Sequence, residues 1–132
     1  MLILNFIAGS QSKYMAFAGI ADFITPSLSV GSSGAIVGAA NVFPFACVNV
    51  YNLFVAGRIE EASLAQAQLA NVDWSLTKRA IPGFKALLNH YHGYGGSPRQ
   101  PMPTLKDKEV TALIAEVEWF SKIEEKLTLS MT

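Results

Sequence analysis

Residues 19–44 read GIADFITPSLSVGSSGAIVGAANVFP, and this stretch decides the fold. Asp22 is its only charged residue. Glycines recur between its short apolar runs, at Gly19, Gly31, Gly34 and Gly38. Such a segment is too apolar for a surface loop and too rich in glycine for an ordinary helix. It is typical of short strands that are buried on both faces.

A strand–helix–strand unit is predicted around this stretch. The run YMAFAG at 14–19 has the length of a buried strand, and so does AIVGAA at 35–40. Between them, residues 21–30 carry apolar side chains at near-helical spacing. Pro26 suits the first turn of that helix, and Gly31 can end it as a C′ glycine. The sequence therefore predicts a βαβ unit with parallel strands.

Four further helices are predicted after the second strand. Asn41 and Thr104 are predicted N-caps of the first and last of them, and Pro44 suits a first turn. The second helix has apolar residues roughly along one face, at Ile59, Ala62, Leu64, Leu69, Val72 and Trp74. The four helices are predicted over residues 44–57, 58–79, 81–92 and 104–127.

Composition restricts the class of protein. The 132 residues are enough for one domain, 51% of them are apolar and only 15% are charged. The net charge is zero and no basic stripe is present, so nucleic acid is not a predicted partner. No uninterrupted apolar run predicts a membrane span, and the first charge, Lys13, comes too late for a secretory signal. The one cysteine, Cys47, lies in an apolar run, which predicts a small, buried, hydrophobic side chain. A single cysteine cannot form an internal disulfide, which predicts a reducing, cytoplasmic compartment.

Two buried strands cannot form a sheet that covers its own edges and faces. The economical interpretation is that they belong to a larger sheet that lies before Met1 in the complete protein. A complete eight-stranded α/β barrel takes about 250 residues. The predicted fold is α/β, and this chain has the length for no more than the end of such a TIM barrel, its last two strands, followed by a helical bundle. Residues 1–45 are predicted to form the end of the barrel, and residues 46–132 its last helix and the C-terminal helical region.

The pattern F-A-G-x-x-D-F-x-x-P-S-L-x-x-G-x-x-G-x-I-x-G-x-A-N-x-x-P runs from Phe17 to Pro44. It resembles strands seven and eight of the dihydrodipicolinate synthase/N-acetylneuraminate lyase family, which are Schiff-base-forming aldolases and lyases on a TIM barrel. YNLFVAGRIEEASLAQAQL and IPGFKALLNHYHGYGG, followed by RQPMPTL, resemble downstream segments of that family in the same order. GSSGAIVGAANVFP and HYHGYGG most resemble the fungal 2-keto-3-deoxy sugar-acid aldolase branch.

This resemblance implies a class I aldolase or lyase that breaks or forms a carbon–carbon bond beside a 2-oxo acid such as pyruvate. It implies no metal and no organic cofactor, and a homo-oligomer, a dimer or a tetramer. The family's Schiff-base lysine on strand six and its proton-relay tyrosine on strand five cannot be located in this chain. No catalytic residue is therefore assigned, and Lys85, in the helical region, is not predicted to be the nucleophile. The chain alone is expected to be inactive. The alternative is a non-catalytic remnant that docks onto an intact relative through exposed strand edges.

Four substrate-binding positions carry over from the resemblance. Gly19 and the backbone carbonyl of Ile36 match positions that line the keto-acid pocket. Asp22 and Gly38 match positions where the lyase branch contacts the distal substrate hydroxyls. Ile20 and Ala21 stand where members of the family often have acidic or polar residues. The chemistry of the far end of the substrate is therefore not predicted. Asp22 has a second interpretation as a plain helix N-cap.

The HYHGY motif and the GSSG turn at 31–34 carry weaker signals. His90 and His92 have no cysteine or acid at ligand spacing, so no metal site is predicted. Tyr91 and Tyr94 are interpreted as packing or interface residues. The GSSG turn has no lysine after its glycines, which argues against a phosphate loop.

Overall fold

The computed structural model describes residues 15–131. It begins with strand β1, Phe17–Ala18, followed by helix α1, Ile24–Ser29, and strand β2, Gly34–Ala35. The two strands pair in parallel, with Phe17 opposite Gly34 and Ala18 opposite Ala35. The predicted βαβ unit is confirmed. Tyr14, the first residue of the predicted first strand, lies outside the described residues.

Both strands are shorter than predicted, with two residues each. Among residues 15–131 each strand pairs only with the other, so neither strand has a second hydrogen-bonded neighbour that would support a longer strand. A 3₁₀ turn, Ala21–Phe23, follows β1, and another, Gly38–Asn41, occupies the end of the predicted second strand. The chain therefore leaves the sheet quickly on both sides of α1.

The predicted glycine stop of α1 is confirmed. Val30 is the C-cap, and Gly31 follows it with φ +93°. The Gly31 N–H donates to the Leu28 carbonyl at 3.0 Å. A side chain with a Cβ would be strained in this left-handed conformation, so glycine is the residue that fits here.

The four predicted helices are also confirmed: α2, Pro44–Val55; α3, Ile59–Thr77; α4, Ala80–His92; and α5, Asp107–Met131. Pro44 lies in the first turn of α2, where its missing N–H breaks no hydrogen bond. Helix α5 starts three residues after Thr104 and runs four residues beyond the predicted end.

The predicted cap residues are wrong. Phe43 precedes α2 at the N-cap position and makes no side-chain cap bond. Asn41 instead donates to the Gly38 carbonyl at 3.0 Å. Thr104 lies upstream of α5, where Glu109 accepts the Lys106 N–H at 2.8 Å. This is the returning half of a capping box.

The N-terminus of α2 is capped from α5 instead. The two carboxylate oxygens of Glu124 accept the N–H groups of Phe45 and Ala46, at 2.7 and 2.8 Å. These partners lie 79 and 78 residues apart in the chain. Local sequence could not have predicted a cap from such a distance.

The predicted apolar face of α3 is half right. Ala62, Leu69 and Val72 are buried, but Ile59, Leu64 and Trp74 are 49%, 70% and 62% exposed. The observed buried stripe steps by three and four residues and includes two polar side chains. Its members are Ala62, Gln66, Leu69, Val72, Asp73 and Leu76.

One hydrophobic core joins the βαβ unit to the helices. At its centre Phe43 meets Phe120 edge to face, with ring centroids 5.0 Å apart. Cys47 belongs to this core, so its predicted burial is confirmed, and burial raises the pKa of its thiol to about 12. The division at residue 45 stays a prediction. Across residues 15–131 no helix combines the length and apolarity needed to cross a membrane.

Candidate functional site

An open cleft lies at the carboxyl ends of the two strands. Gly19 directly follows β1, and Gly38 begins the turn after β2. The opposite wall comes from the end of α3 and the start of α4, and the cleft volume is about 280 Å³. The cleft is lined by Gly19, Ile20, Gly38, Asp73, Thr77, Ala80, Ile81 and Phe84. Ligands of parallel α/β sheets bind at this end of the strands.

Gly38 lies against the ring of Phe84. A Cβ at this position would lie 2.8 Å from the Cζ of Phe84, closer than atoms in van der Waals contact. Gly19 differs, because a Cβ there would meet no described atom within 4 Å. Packing within residues 15–131 therefore explains glycine at 38 but not at 19.

Asp73 is the buried carboxylate of the cleft, with 2% of its surface exposed. It accepts the backbone N–H groups of Ala21 and Asp22, and the Thr77 hydroxyl also donates to it. Burial raises the pKa of the Asp73 carboxyl, and the charge of Asp22 adds to that rise, while these hydrogen bonds oppose it. Asp73 thus caps the turn after β1 from a helix about 50 residues further along the chain.

Gln66 holds the other side of the same turn. Its Oε1 accepts the Thr25 N–H and its Nε2 donates to the Ala21 carbonyl, both at 2.9 Å. Its surface is only 6% exposed, so these bonds satisfy an otherwise costly buried amide. Sequence reasoning did not find Gln66 or Asp73. The available signal was their seven-residue spacing, which places both on the buried stripe of α3.

Ala80 lies at the cleft wall with φ +48°. An alanine in the left-handed region costs about 1–2 kcal/mol, because its Cβ crowds the following carbonyl. Ala80 is the first residue of α4, directly after the turn that follows α3. The turn also brings Ile81 and Phe84 over the strand ends.

The structure brings together two of the four predicted binding residues. Gly19 and Gly38 line the same cleft. Ile36 is 74% exposed and Asp22 is also exposed, and neither lines the cleft. The N-cap interpretation of Asp22 is wrong, because Ile20 and Phe23 hold the cap positions and neither makes a side-chain cap bond. The substrate-binding roles of the four residues stay predictions.

The cleft offers binding surface rather than an amine nucleophile. None of the residues that line it, within the described part of the chain, is a lysine. Lys85 donates from Nζ to the Gly95 carbonyl and lines a different cleft. In residues 15–131, no three His, Cys, Asp or Glu side chains cluster in a way that could hold a metal ion.

Comparisons with known proteins agree with this geometry. The chain is 44% identical over 118 residues to an L-threo-3-deoxy-hexylosonate aldolase of Aspergillus niger, covering 89% of this chain and 35% of that protein. It is 37% identical over 111 residues to a probable 4-hydroxy-2-oxoglutarate aldolase, mitochondrial, of Emericella nidulans, covering 84% and 36%. The chain thus spans about a third of the length of these relatives.

A solved structure gives the same fold. The Sulfolobus 2-keto-3-deoxygluconate aldolase in complex with D-KDPG superposes with a TM-score of 0.75 at 26% identity. The match covers 84% of this chain and 39% of that chain. The two parallel strands and the helices after them correspond to the C-terminal part of a TIM barrel of this type. Residues 2–119 match the dihydrodipicolinate synthetase family, and the chain belongs to that family.

Proposed function

We propose that the chain is the C-terminal portion of a class I aldolase or lyase that acts on 2-oxo acids, and that it has no turnover alone. One observation carries the proposal: Gly19 and Gly38 meet in one cleft at the carboxyl ends of two parallel strands. The aldolase names of its relatives supply the reaction class.

The chemistry of the cleft supports the absence of turnover. A Schiff base needs an amine whose pKa is lowered, by desolvation or a nearby cation, so that it attacks the substrate carbonyl. No described lysine lines the cleft. Asp73 is held by the N–H groups of Ala21 and Asp22, so its carboxylate is engaged in fixing the turn. In this proposal the imine-forming lysine belongs to a part of the barrel outside this chain.

We propose a hydroxylated 2-oxo acid as the substrate. The Sulfolobus protein is named as a 2-keto-3-deoxygluconate aldolase, and the Aspergillus relative is named for a deoxy sugar acid. In this proposal Gly19 and the Ile36 carbonyl face the keto acid, while Asp22 and Gly38 face its hydroxyls. The reaction uses neither a metal nor an organic cofactor. The complete barrel assembles as a dimer or a tetramer.

Borohydride trapping tests the proposal. The purified 132-residue chain is incubated with pyruvate and sodium borohydride, and intact mass is measured. We expect no reduced adduct on this chain and full labelling of the Aspergillus relative, the matched positive control. A pyruvate-dependent adduct on the chain that disappears in Lys85→Arg would overturn the proposal, because the chain would then carry its own nucleophile.

The alternative function is a non-catalytic remnant that docks onto an intact relative. The exposed apolar side chains of the sheet region favour it: Met15, Phe17 and Ile36 are 70%, 48% and 74% exposed. Such surface is typical of an interface that lacks its partner. Size-exclusion chromatography with light-scattering detection distinguishes the two functions, when the chain is mixed with the Aspergillus relative. A stable hetero-complex with unchanged aldolase turnover supports docking, and separate elution supports a catalytic portion.

We propose a cytoplasmic location, on the ground of the single buried thiol. The Emericella relative is named as a mitochondrial protein, which favours the opposite location. Fractionation of source cells, with an antibody against the α5 sequence, tests this. Recovery of the antigen with mitochondrial markers would contradict the cytoplasmic location.

A further inference from the structure

An apolar groove lies beside strand β2 and helix α2, and it shares no residue with the cleft. Its volume is about 320 Å³. Both residues of β2 line it, together with Phe17 of β1 and with Val48 and Tyr51 of α2. Within residues 15–131, no residue that lines the groove carries a charge. The groove is therefore an apolar surface that the proposed substrate site does not use.

Helix α2 has apolar side chains on two faces. Its buried residues, among them Cys47 and Val50, face the hydrophobic core. Val48, Tyr51 and Val55 follow one another at steps of three and four residues, and they are 47%, 37% and 64% exposed. A helix on the surface of a domain normally has one apolar face. The second face indicates that α2 packs against another element on its groove side.

Strand β2 has an open edge next to the same groove. Within the described part of the chain it pairs only with β1, so the hydrogen-bonding groups on its other edge have no strand partner. Parallel sheets are normally covered on both faces and continue on both sides of an inner strand. An open edge beside an apolar groove is a template for one more strand.

The similarity to a solved barrel identifies the element that would cover this surface. The match to the Sulfolobus aldolase covers 39% of that chain and corresponds to the C-terminal part of its barrel. In a closed eight-stranded barrel the last strand pairs with the first, and the helices form a continuous outer ring. The edge of β2 and the groove side of α2 would then face the first strand and the first helix. Two copies of this chain supply only four such strands, so edges would stay open.

We propose that the groove docks the first strand–helix unit of a barrel of this family, and that it does so when that unit belongs to a separate chain. The inference rests on the proposed function, because it takes β2 as the last strand of an aldolase barrel. The partner's first strand extends the sheet at β2, and apolar side chains of its first helix pack against Val48 and Tyr51. The absence of charge in the groove suits such a strand, which is apolar on both faces.

Co-expression tests the docking. The full 132-residue chain carries an affinity tag, and its partner is the part of the Aspergillus relative that precedes the segment matched by this chain. Size-exclusion chromatography with light-scattering detection of the eluate should show a complex of one copy of each. The intact Aspergillus relative should form no complex, because its own first strand and helix already cover the corresponding groove.

Val48→Glu should lower the recovery of the complex at least about tenfold, because it buries an unpaired charge in the interface. Leu64→Glu is the matched control, since Leu64 is an exposed apolar residue of α3 outside the groove, and it should leave recovery unchanged. Circular dichroism of each variant chain alone verifies that it is folded. A complex that withstands Val48→Glu, or no complex with the N-terminal part, would overturn the proposal.

A complete barrel gives a second measurement that needs no separately folded partner. In a chimera, residues 15–131 replace the matching segment of the Aspergillus relative. Val48→Glu should lower its melting temperature by at least about 5 °C, but that of the 132-residue chain by less than about 2 °C. Equal shifts in both proteins would contradict a groove that the rest of the barrel covers.

Turnover is measured separately, so that the two proposals can fail independently. A complex that Val48→Glu disrupts, but that has no retro-aldol turnover, would support the docking and contradict the proposed function. An active chimera without any complex between the separate chains would support the proposed function and overturn the docking.

Discussion

The sheet region, residues 15–43, and the helical region, residues 44–131, are stabilised in different ways. In the helical region Leu76, Leu87 and Leu113 have no exposed surface, although Leu64 and Trp74 are 70% and 62% exposed. The sheet region leaves Met15, Phe17 and Ile36 largely exposed. Two-residue strands make few ladder bonds, so the sheet region depends on contacts with the helices.

Two polar side chains contribute to that connection, and a third joins two helices of the helical region. Gln66 and Asp73 of α3 hold the turn after β1, and Glu124 of α5 caps α2. We call these three side chains the polar anchors. The difference between the regions indicates that the helices keep the strand ends in place, with the cleft between them.

The largest expected effect comes from removing an anchor. Asp73→Ala should lower the free energy of unfolding by about 2–3 kcal/mol, because the N–H groups of Ala21 and Asp22 lose a buried acceptor. Urea unfolding followed by circular dichroism measures this. Glu60→Ala, on the exposed side of the same helix, should change stability by less than about 0.5 kcal/mol. A loss below that value for Asp73→Ala would show that Asp73 does not hold the sheet region.

Gly38→Ala should cost about 1–3 kcal/mol, because its Cβ would lie 2.8 Å from Phe84 Cζ. Gly19→Ala is the matched control and should be near neutral, since a Cβ there meets no described atom within 4 Å. A double-mutant cycle with Phe84→Leu should recover part of the loss at Gly38. Equal losses at both glycines would contradict the packing role of Phe84.

Ala80→Gly should stabilise the chain by about 1 kcal/mol, since glycine adopts the φ of +48° without the Cβ penalty. Thermal unfolding by calorimetry measures the gain. Ala112→Gly, at an exposed position inside α5, should instead lose about 0.5–1 kcal/mol. Destabilisation by both variants would show that the turn between α3 and α4 is not strained.

The smallest effect concerns the ion pair between Arg79, at the N-cap position of α4, and Glu116 of α5. Arg79 binds Glu116 through two bonds, of 3.0 and 2.7 Å, and the hydrogen bond from Arg79 is the main cause that lowers the pKa of Glu116 from 4.5 to about 2. A lowered carboxyl pKa stabilises the fold above pH 4.5, and this stabilisation is lost as the pH falls towards 2.

Glu116→Gln should therefore cost at most about 1 kcal/mol at pH 7, since the pair is partly exposed. The difference from the parent chain should disappear between pH 4.5 and 2. Urea unfolding at several pH values measures it. A constant difference across that range would mean that the carboxylate charge contributes nothing.

Much of the fold could be predicted from the sequence, because its signals are local. Gly31 ends α1 and Pro44 starts α2, and the apolar runs fixed the order of strands and helices. The family resemblance predicted Gly19 and Gly38 as binding residues, and the structure places both in one cleft. Strand lengths were overestimated, since a ladder depends on its neighbours as well as on its own residues.

The polar anchors could not be predicted from local sequence. Glu124 caps a helix that begins about 80 residues earlier, and Asp73 caps a turn about 50 residues away. Asn41 and Thr104 had suitable chemistry for caps but the wrong positions relative to their helices. Only the buried stripe of α3 indicated two of the anchors, because Gln66 and Asp73 lie among apolar residues at helical spacing.

The central claim is that this chain supplies the closing strands and helices of an aldolase barrel, but not its nucleophile. A chimera tests it most directly, in which residues 15–131 replace the matching segment of the Aspergillus relative. We predict retro-aldol turnover within about tenfold of that relative, which is about 1.4 kcal/mol of activation free energy, and none from the 132-residue chain alone. A folded but inactive chimera, or turnover by the isolated chain, would contradict the account.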